Sequence, residues 1–93
     1  MFALIVIFRF VAENLVTQLP RHLNPGGHLM IEEHLQWSGE AVAGPSSDRF
    51  RVAPGSLCAA VEGLQIVDDF EGLTIDPDGQ SVALARVIAR KSK

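Results

Sequence analysis

Two short clusters in this 93-residue chain carry side chains with chemical potential: Glu32-Glu33-His34 and Phe8-Arg9-Phe10. A carboxylate beside an imidazole suits zinc or an oxygen-preferring divalent ion, and His22 and His28 lie near enough in sequence to raise the question. In an extended strand His28, Glu32 and His34 share one face, but alternate residues stand about 6.5–7 Å apart. His28 is then too far from Glu32 to share an ion. The reading is of structural or solvated groups and no metal site, which leaves a metal-assisted hydrolase as the weakest of three functional readings. Phe8 reads as core, and Arg9 as a surface charge or an ion-pair partner at an interface. Arg49-Phe50 forms a third candidate pair, with Phe50 anchoring a loop by packing and Arg49 able to pair with Asp48. Cys58, between Leu57 and Ala59, has no base or metal partner near it in sequence and reads as a buried, inert thiol.

These residues need a frame. Phe2-Ala3-Leu4-Ile5-Val6-Ile7-Phe8 is an unbroken, β-branched apolar run, too short for a buried helix and typical of a parallel strand covered on both faces. Such a strand sits in the middle of a sheet, yet here it opens the chain. Either it is an exposed edge or another chain pairs with it. Residues 11–23 carry Leu15, Val16, Leu19 and Leu23 at helical spacing, with a kink or restart expected at Pro20. Asn24-Pro25-Gly26-Gly27 is expected to stop that helix and turn the chain back. Residues 28–35 form the next strand. Leu29, Ile31, Glu33 and Leu35 point one way, and His28, Met30, Glu32 and His34 the other. The strand grows polar towards its carboxyl end, the edge at which open α/β sheets bind ligands.

A long Gly/Ser/Pro-rich connection spans residues 37–53, a length associated with function or mobility. Pro54 suits the start of a helix with Leu57, Ala60 and Val61 on its apolar face, ended by Gly63. Residues 64–67 and 73–75 read as strand, interrupted by Asp68-Asp69 and Glu71-Gly72, whose acids form a solvated edge. Asp76-Pro77-Asp78-Gly79 is a turn, and residues 81–90 are the last strand, antiparallel to the one before. The order is β-α-β-loop-α-β-β: one α/β domain over residues 1–93, with parallel strands closed at one edge by an antiparallel C-terminal hairpin.

Composition narrows the function. With a net charge of −3 there is no electrostatic case for nucleic-acid binding. No segment approaches the roughly 20 apolar residues that span a bilayer. The apolar start lacks a basic region before it and a small-residue cleavage site after it, so it does not read as a signal peptide. A lone cysteine excludes an internal disulfide, and a cytoplasmic location is expected.

Three pieces of the sequence resemble the carboxyl-terminal half of a class I S-adenosylmethionine-dependent methyltransferase, in the small-molecule, tellurite-resistance-like branch. They are the strand ending Phe8-Arg9-Phe10 that leads through a helix to Leu23-Asn24-Pro25-Gly26-Gly27, the strand running into Ile31-Glu32-Glu33, and the loop Gly44-Pro45-Ser46-Ser47-Asp48-Arg49-Phe50 followed by Ala53-Pro54-Gly55-Ser56-Leu57. The hairpin ending Ala89-Arg90-Lys91 also fits. The resemblance implies a partial Rossmann-like sheet, running from about the family's fourth strand to its last. It implies that Phe8, Arg9 and Phe10 lie at the edge of the cofactor pocket, and that Glu32, His34, Arg49 and Phe50 face the methyl acceptor, the last two as part of a lid.

The chain departs from the family where the donor binds. The family holds S-adenosylmethionine by a glycine-rich loop after its first strand and by an acid ending the second, and neither is present. Ala3 also stands where the family often has aspartate. The expectation is therefore a methyltransferase-like fragment that binds no donor alone and is inactive alone. It would self-associate through the first strand or pair with a missing half-domain. The alternative of another class is a noncatalytic interaction module that works by strand pairing.

Overall fold

A computed structural model describes residues 2–9 and 18–93. Four strands, β1 (Phe2–Phe8), β2 (Leu23–His34), β3 (Gln65–Ile75) and β4 (Ser81–Arg90), form one sheet in the order β1-β2-β4-β3. β1 runs parallel to β2, whereas β4 is antiparallel to both β2 and β3. The last strand is thus an inner strand, inserted between β2 and β3. This explains why Val82, Ala83, Leu84 and Ala85 are all buried, a run that alternation alone would not give.

Leu29, Ile31 and Glu33 of β2 do share the expected face, with Leu35 just beyond the strand. They sit beside Ala89, Val87 and Ala85 of β4 in register; Leu29 and Ile31 belong to the hydrophobic core, and Glu33 is buried at its edge. Leu57 and Val61, from the short helix α1 (Ser56–Ala60) and its end, cover that face together with Val52. α1 starts later than Pro54 suggests, because Gly55 takes the left-handed N-cap position with φ 80°.

The first crossover differs from expectation. Residues 11–17 of the expected helix, with Leu15 and Val16, lie outside the described residues. Leu19–His22 is a 3-10 turn with Pro20 near its start, and Leu23 already belongs to β2. Asn24-Pro25-Gly26-Gly27 therefore does not stop a helix. Phe2 pairs with Leu23 and Leu4 with His28, so these residues are looped out of the ladder as a bulge inside β2. Gly26, at φ 81°, makes the bend, its N–H donates to the Lys91 carbonyl, and the Lys91 N–H donates to Gly27. Lys91 Nζ adds bonds of 3.1 Å to the carbonyls of Pro20 and Leu23, which satisfies the end of the 3-10 turn. Leu19 and Leu23 still reach the core, as the apolar stripe requires.

The third strand also differs. β3 is continuous through Asp68-Asp69 and Glu71-Gly72, with one bulge between Ile66 and Asp68. Pairing with β4 along its length outweighs the weak strand preference of acids, whose side chains stay in solvent on an edge strand. Cys58 is half-buried and not fully enclosed. Its thiol lies 3.7 Å from an Asp69 carboxylate oxygen, and burial, helped by that carboxylate, pushes its pKa up. A raised pKa lowers the thiolate fraction of this group relative to a free cysteine.

Candidate functional site

At the carboxyl ends of β1 and β2, one row of residues crosses the whole sheet on the face away from α1. Phe8 pairs with Glu32, Glu32 with Arg86, and Arg86 with Phe70. Charged residues in the middle of a sheet require partners, and here they supply each other's. Arg86 Nη1 lies 3.4 Å from Glu32 Oε1, while Arg9 Nε lies 3.5 Å from Glu32 Oε2. The second contact is an attraction between charges and falls short of hydrogen-bond geometry. Glu32, with a side chain only 8% exposed, thus sits between two guanidiniums. Each arginine also lies over a ring, Arg9 over Phe8 at 4.9 Å and Arg86 over Phe70 at 5.5 Å.

Arg9 ties this row to the hairpin. Its N–H donates to the Glu32 carbonyl at 2.6 Å, which continues the β1–β2 ladder by one bond. The residue then turns into the left-handed region at φ 54°, the one non-glycine residue to do so among those described. From there its Nη1 and Nη2 donate to both Asp76 oxygens at 2.9 and 2.7 Å, a bidentate fork. These hydrogen bonds raise the Arg9 pKa and hold the Asp76 carboxyl below its usual range.

The loop after β2 closes over the same edge. Arg51 is buried, and its guanidinium donates to the carbonyls of Leu35, Ala43 and Pro45 at 3.1, 3.2 and 3.0 Å. The Val52 N–H donates to the His34 carbonyl and the Gln36 N–H to Val52, so the loop returns beside the end of β2. Gly44, at φ 108°, rests on the His34 ring so closely that a Cβ there would lie 2.8 Å from Cε1. Under this cover His34 Nδ1 is buried with no hydrogen-bond partner. Burial first, and then the positive charges of Arg9 and Arg51, push the His34 pKa down, against a weaker opposing pull from Asp76 and Glu32.

This shift predicts a pH effect. Because the folded pKa lies below the unfolded value of about 6.5, the unfolded chain takes up the proton first. The contribution to stability is intact above about pH 6.5 and is lost as the pH falls from there through the folded pKa. The melting temperature is expected to drop as the pH falls below about 6.5 in the native chain, and to drop less in His34→Gln. Equal slopes in the two proteins would rule out His34 as the source.

Of the residues singled out in the sequence, the structure brings Phe8, Arg9, Glu32 and His34 together at one edge. Phe10 lies outside the described residues. Arg49 and Phe50 are exposed on the loop, where Arg49 lies over the Phe50 ring at 5.0 Å and its N–H donates to Ser47 Oγ. Asp76, Arg86 and Arg51 complete the edge and were missed. Arg86 had a signal, since a lone charge within Val82-Ala83-Leu84-Ala85-Arg86-Val87 requires a partner. Both carboxylates are committed to guanidiniums, and the two rings with their stacked arginines present flat faces.

No family model and no curated protein matches the sequence. Solved structures do resemble it. TehB from Haemophilus influenzae superposes with a TM-score of 0.73 at 20% identity, over 97% of this chain and 35% of that one. The N-methyltransferase NodS from Bradyrhizobium japonicum WM9 superposes with a TM-score of 0.61 at 19% identity, over 100% of this chain and 52% of that one. The chain thus spans about a third of TehB and about half of NodS. Among the described residues no helix is long and apolar enough to cross a membrane. With its order β1-β2-β4-β3, the sheet has in part the methyltransferase fold that NodS carries.

Proposed function

We propose that this chain is the acceptor-side part of a domain that transfers a methyl group from S-adenosylmethionine to a small molecule, and that alone it is inactive. The supporting observation is the edge formed by Phe8, Arg9, Glu32, Arg86 and Phe70, carried on a sheet that superposes along its full length with an N-methyltransferase. In open α/β sheets that edge faces the ligand.

The described residues do not fit the donor. A cradle for it needs backbone that a ligand can approach closely, supplied by glycine after a strand. Gly26 lies in the β2 bulge with the Lys93 side chain where a Cβ would point, and Gly44 is occupied by the His34 ring. Residues outside this chain would have to hold the donor. What these residues contribute is orientation: Arg9 and Arg86 fix Glu32 and the two rings, and the Arg51-anchored loop shields His34 from water. Orientation of the two reactants is a large part of catalysis when the nucleophile is good.

Calorimetric titration of S-adenosylmethionine into the purified chain is expected to show no binding up to about 1 mM. Micromolar binding without a second polypeptide would overturn the assignment to the acceptor side.

A further inference from the structure

The loop over His34 is fastened on both sides of the point where it touches the ring. A Cβ on Gly44 would stand 2.9 Å from Nδ1 and 3.2 Å from Nε2. On one side the Ala43 N–H donates to the Ser81 carbonyl at 2.8 Å. On both sides Arg51 holds the backbone, through the carbonyls of Ala43 and Pro45. A ring covered in this way must satisfy its nitrogens under the cover. Neutral imidazole can do so. It places its one proton on Nε2 and leaves Nδ1, buried and without a partner among the described residues, as a bare acceptor. The imidazolium cannot, because both nitrogens then carry N–H groups, and a buried charged donor without an acceptor is costly.

Four charged groups bear on His34. Arg9 after β1 and Arg51 in the loop repel a cation, whereas Asp76 in the hairpin and Glu32 on β2 attract one. Neither carboxylate is free to accept from Nδ1. Both Asp76 oxygens already accept from Arg9, and Glu32 lies between Arg9 and Arg86. The facing residue of β4, Leu84, has no polar side chain to offer. Water is the acceptor that remains, and it reaches Nδ1 only when Gly44 moves away. We propose that His34 is a proton-operated latch for the loop of residues 36–52, which lies closed on the neutral ring and lifts at residues 43–45 when Nδ1 takes up a proton. Lifting breaks the Ala43 bond to Ser81 and the Arg51 bonds to Ala43 and Pro45, and leaves the ladder between β2 and β4 intact. Acid then opens the carboxyl edge of the sheet without unfolding it. The latch rests on His34 and its loop and does not depend on methyl transfer.

Amide hydrogen exchange of the full chain, read residue by residue by NMR, tests it. Opening of the loop alone is expected to leave the Ala43 amide protected at least about tenfold less than that of Ile31, in the middle of β2. Between about pH 7 and 5 the Ala43 protection factor is expected to fall by more than about threefold. The fall is expected to track the titration of the His34 ring, followed in the same samples through its Cε1 proton. His34→Gln, which keeps His22 and His28, is expected to remove this pH dependence. Should that variant fail to fold, the comparison of Ala43 with Ile31 and the match to the ring titration decide the matter in the native chain. Equal protection of Ala43 and Ile31 overturns the proposal, because the loop would then open only with the whole sheet. So does a smaller fall with pH, a fall that does not track His34, or one that survives in His34→Gln.

Discussion

Replacing Arg51 by methionine is expected to destabilise the chain by about 3 kcal/mol, because three carbonyls lose a charged donor at once. The methionine keeps much of the apolar stem and none of the hydrogen bonds. Leu35, Ala43 and Pro45 contribute those carbonyls from two sides, the end of β2 and the loop that covers it. The bond to Leu35 is buried, so water cannot replace it without opening the loop. In a domain of this size the expected stability is roughly 5–14 kcal/mol, so the loss is a large share of the total. Urea unfolding of the native chain and Arg51→Met measures it. Arg51→Lys, with one compact ammonium in place of the fork, is expected to recover less than half. A loss below about 1 kcal/mol would show that the loop is held by something other than Arg51.

Arg51 also marks the limit of what the sequence could show. The strands were legible because apolar runs and alternation report burial directly. Ser81–Arg90 matches its expected bounds, and Leu29, Ile31, Glu33 and Leu35 share the expected face. The bulge at Asn24-Pro25-Gly26-Gly27 was not legible. A proline-glycine pair breaks a helix and loops out of a strand with the same residues, and only the pairing with β1 and β4 decides between them. In the loop that the resemblance singles out, Arg49 and Phe50 are exposed and the next residue, Arg51, turns inward. Nothing local separates Arg49 from Arg51, since the difference lies in carbonyls that arrive from other segments. Asp76 was hidden in the same way. Asp-Pro-Asp-Gly accounts for a turn completely, and its first carboxylate meets Arg9 only because the hairpin closes over an edge formed far away in sequence.

Replacing Gly44 by alanine is expected to cost about 3 kcal/mol, in two separable parts. A side chain at φ 108° sits in a region that L residues rarely adopt, at a cost of about 1–3 kcal/mol. The new methyl would also stand 2.8 and 2.9 Å from Cε1 and Nδ1 of His34, inside the limit of real contacts, so the ring or the loop must move. The ring has little freedom to yield, because Nδ1 is buried beneath the loop and His34 belongs to β2, paired with Leu84 of β4. Overpacking of this kind costs about 1–3 kcal/mol. A double-mutant cycle with His34→Ala separates the parts. Removing the ring relieves the clash and leaves the backbone cost, so the two substitutions are expected to be non-additive by about 1–2 kcal/mol, with the double mutant more stable than the sum predicts. Additivity would mean that Gly44 is required by its φ alone. Non-additivity of the expected sign would establish that the loop rests on His34, the contact that keeps this imidazole shielded from water at the carboxyl edge of the sheet.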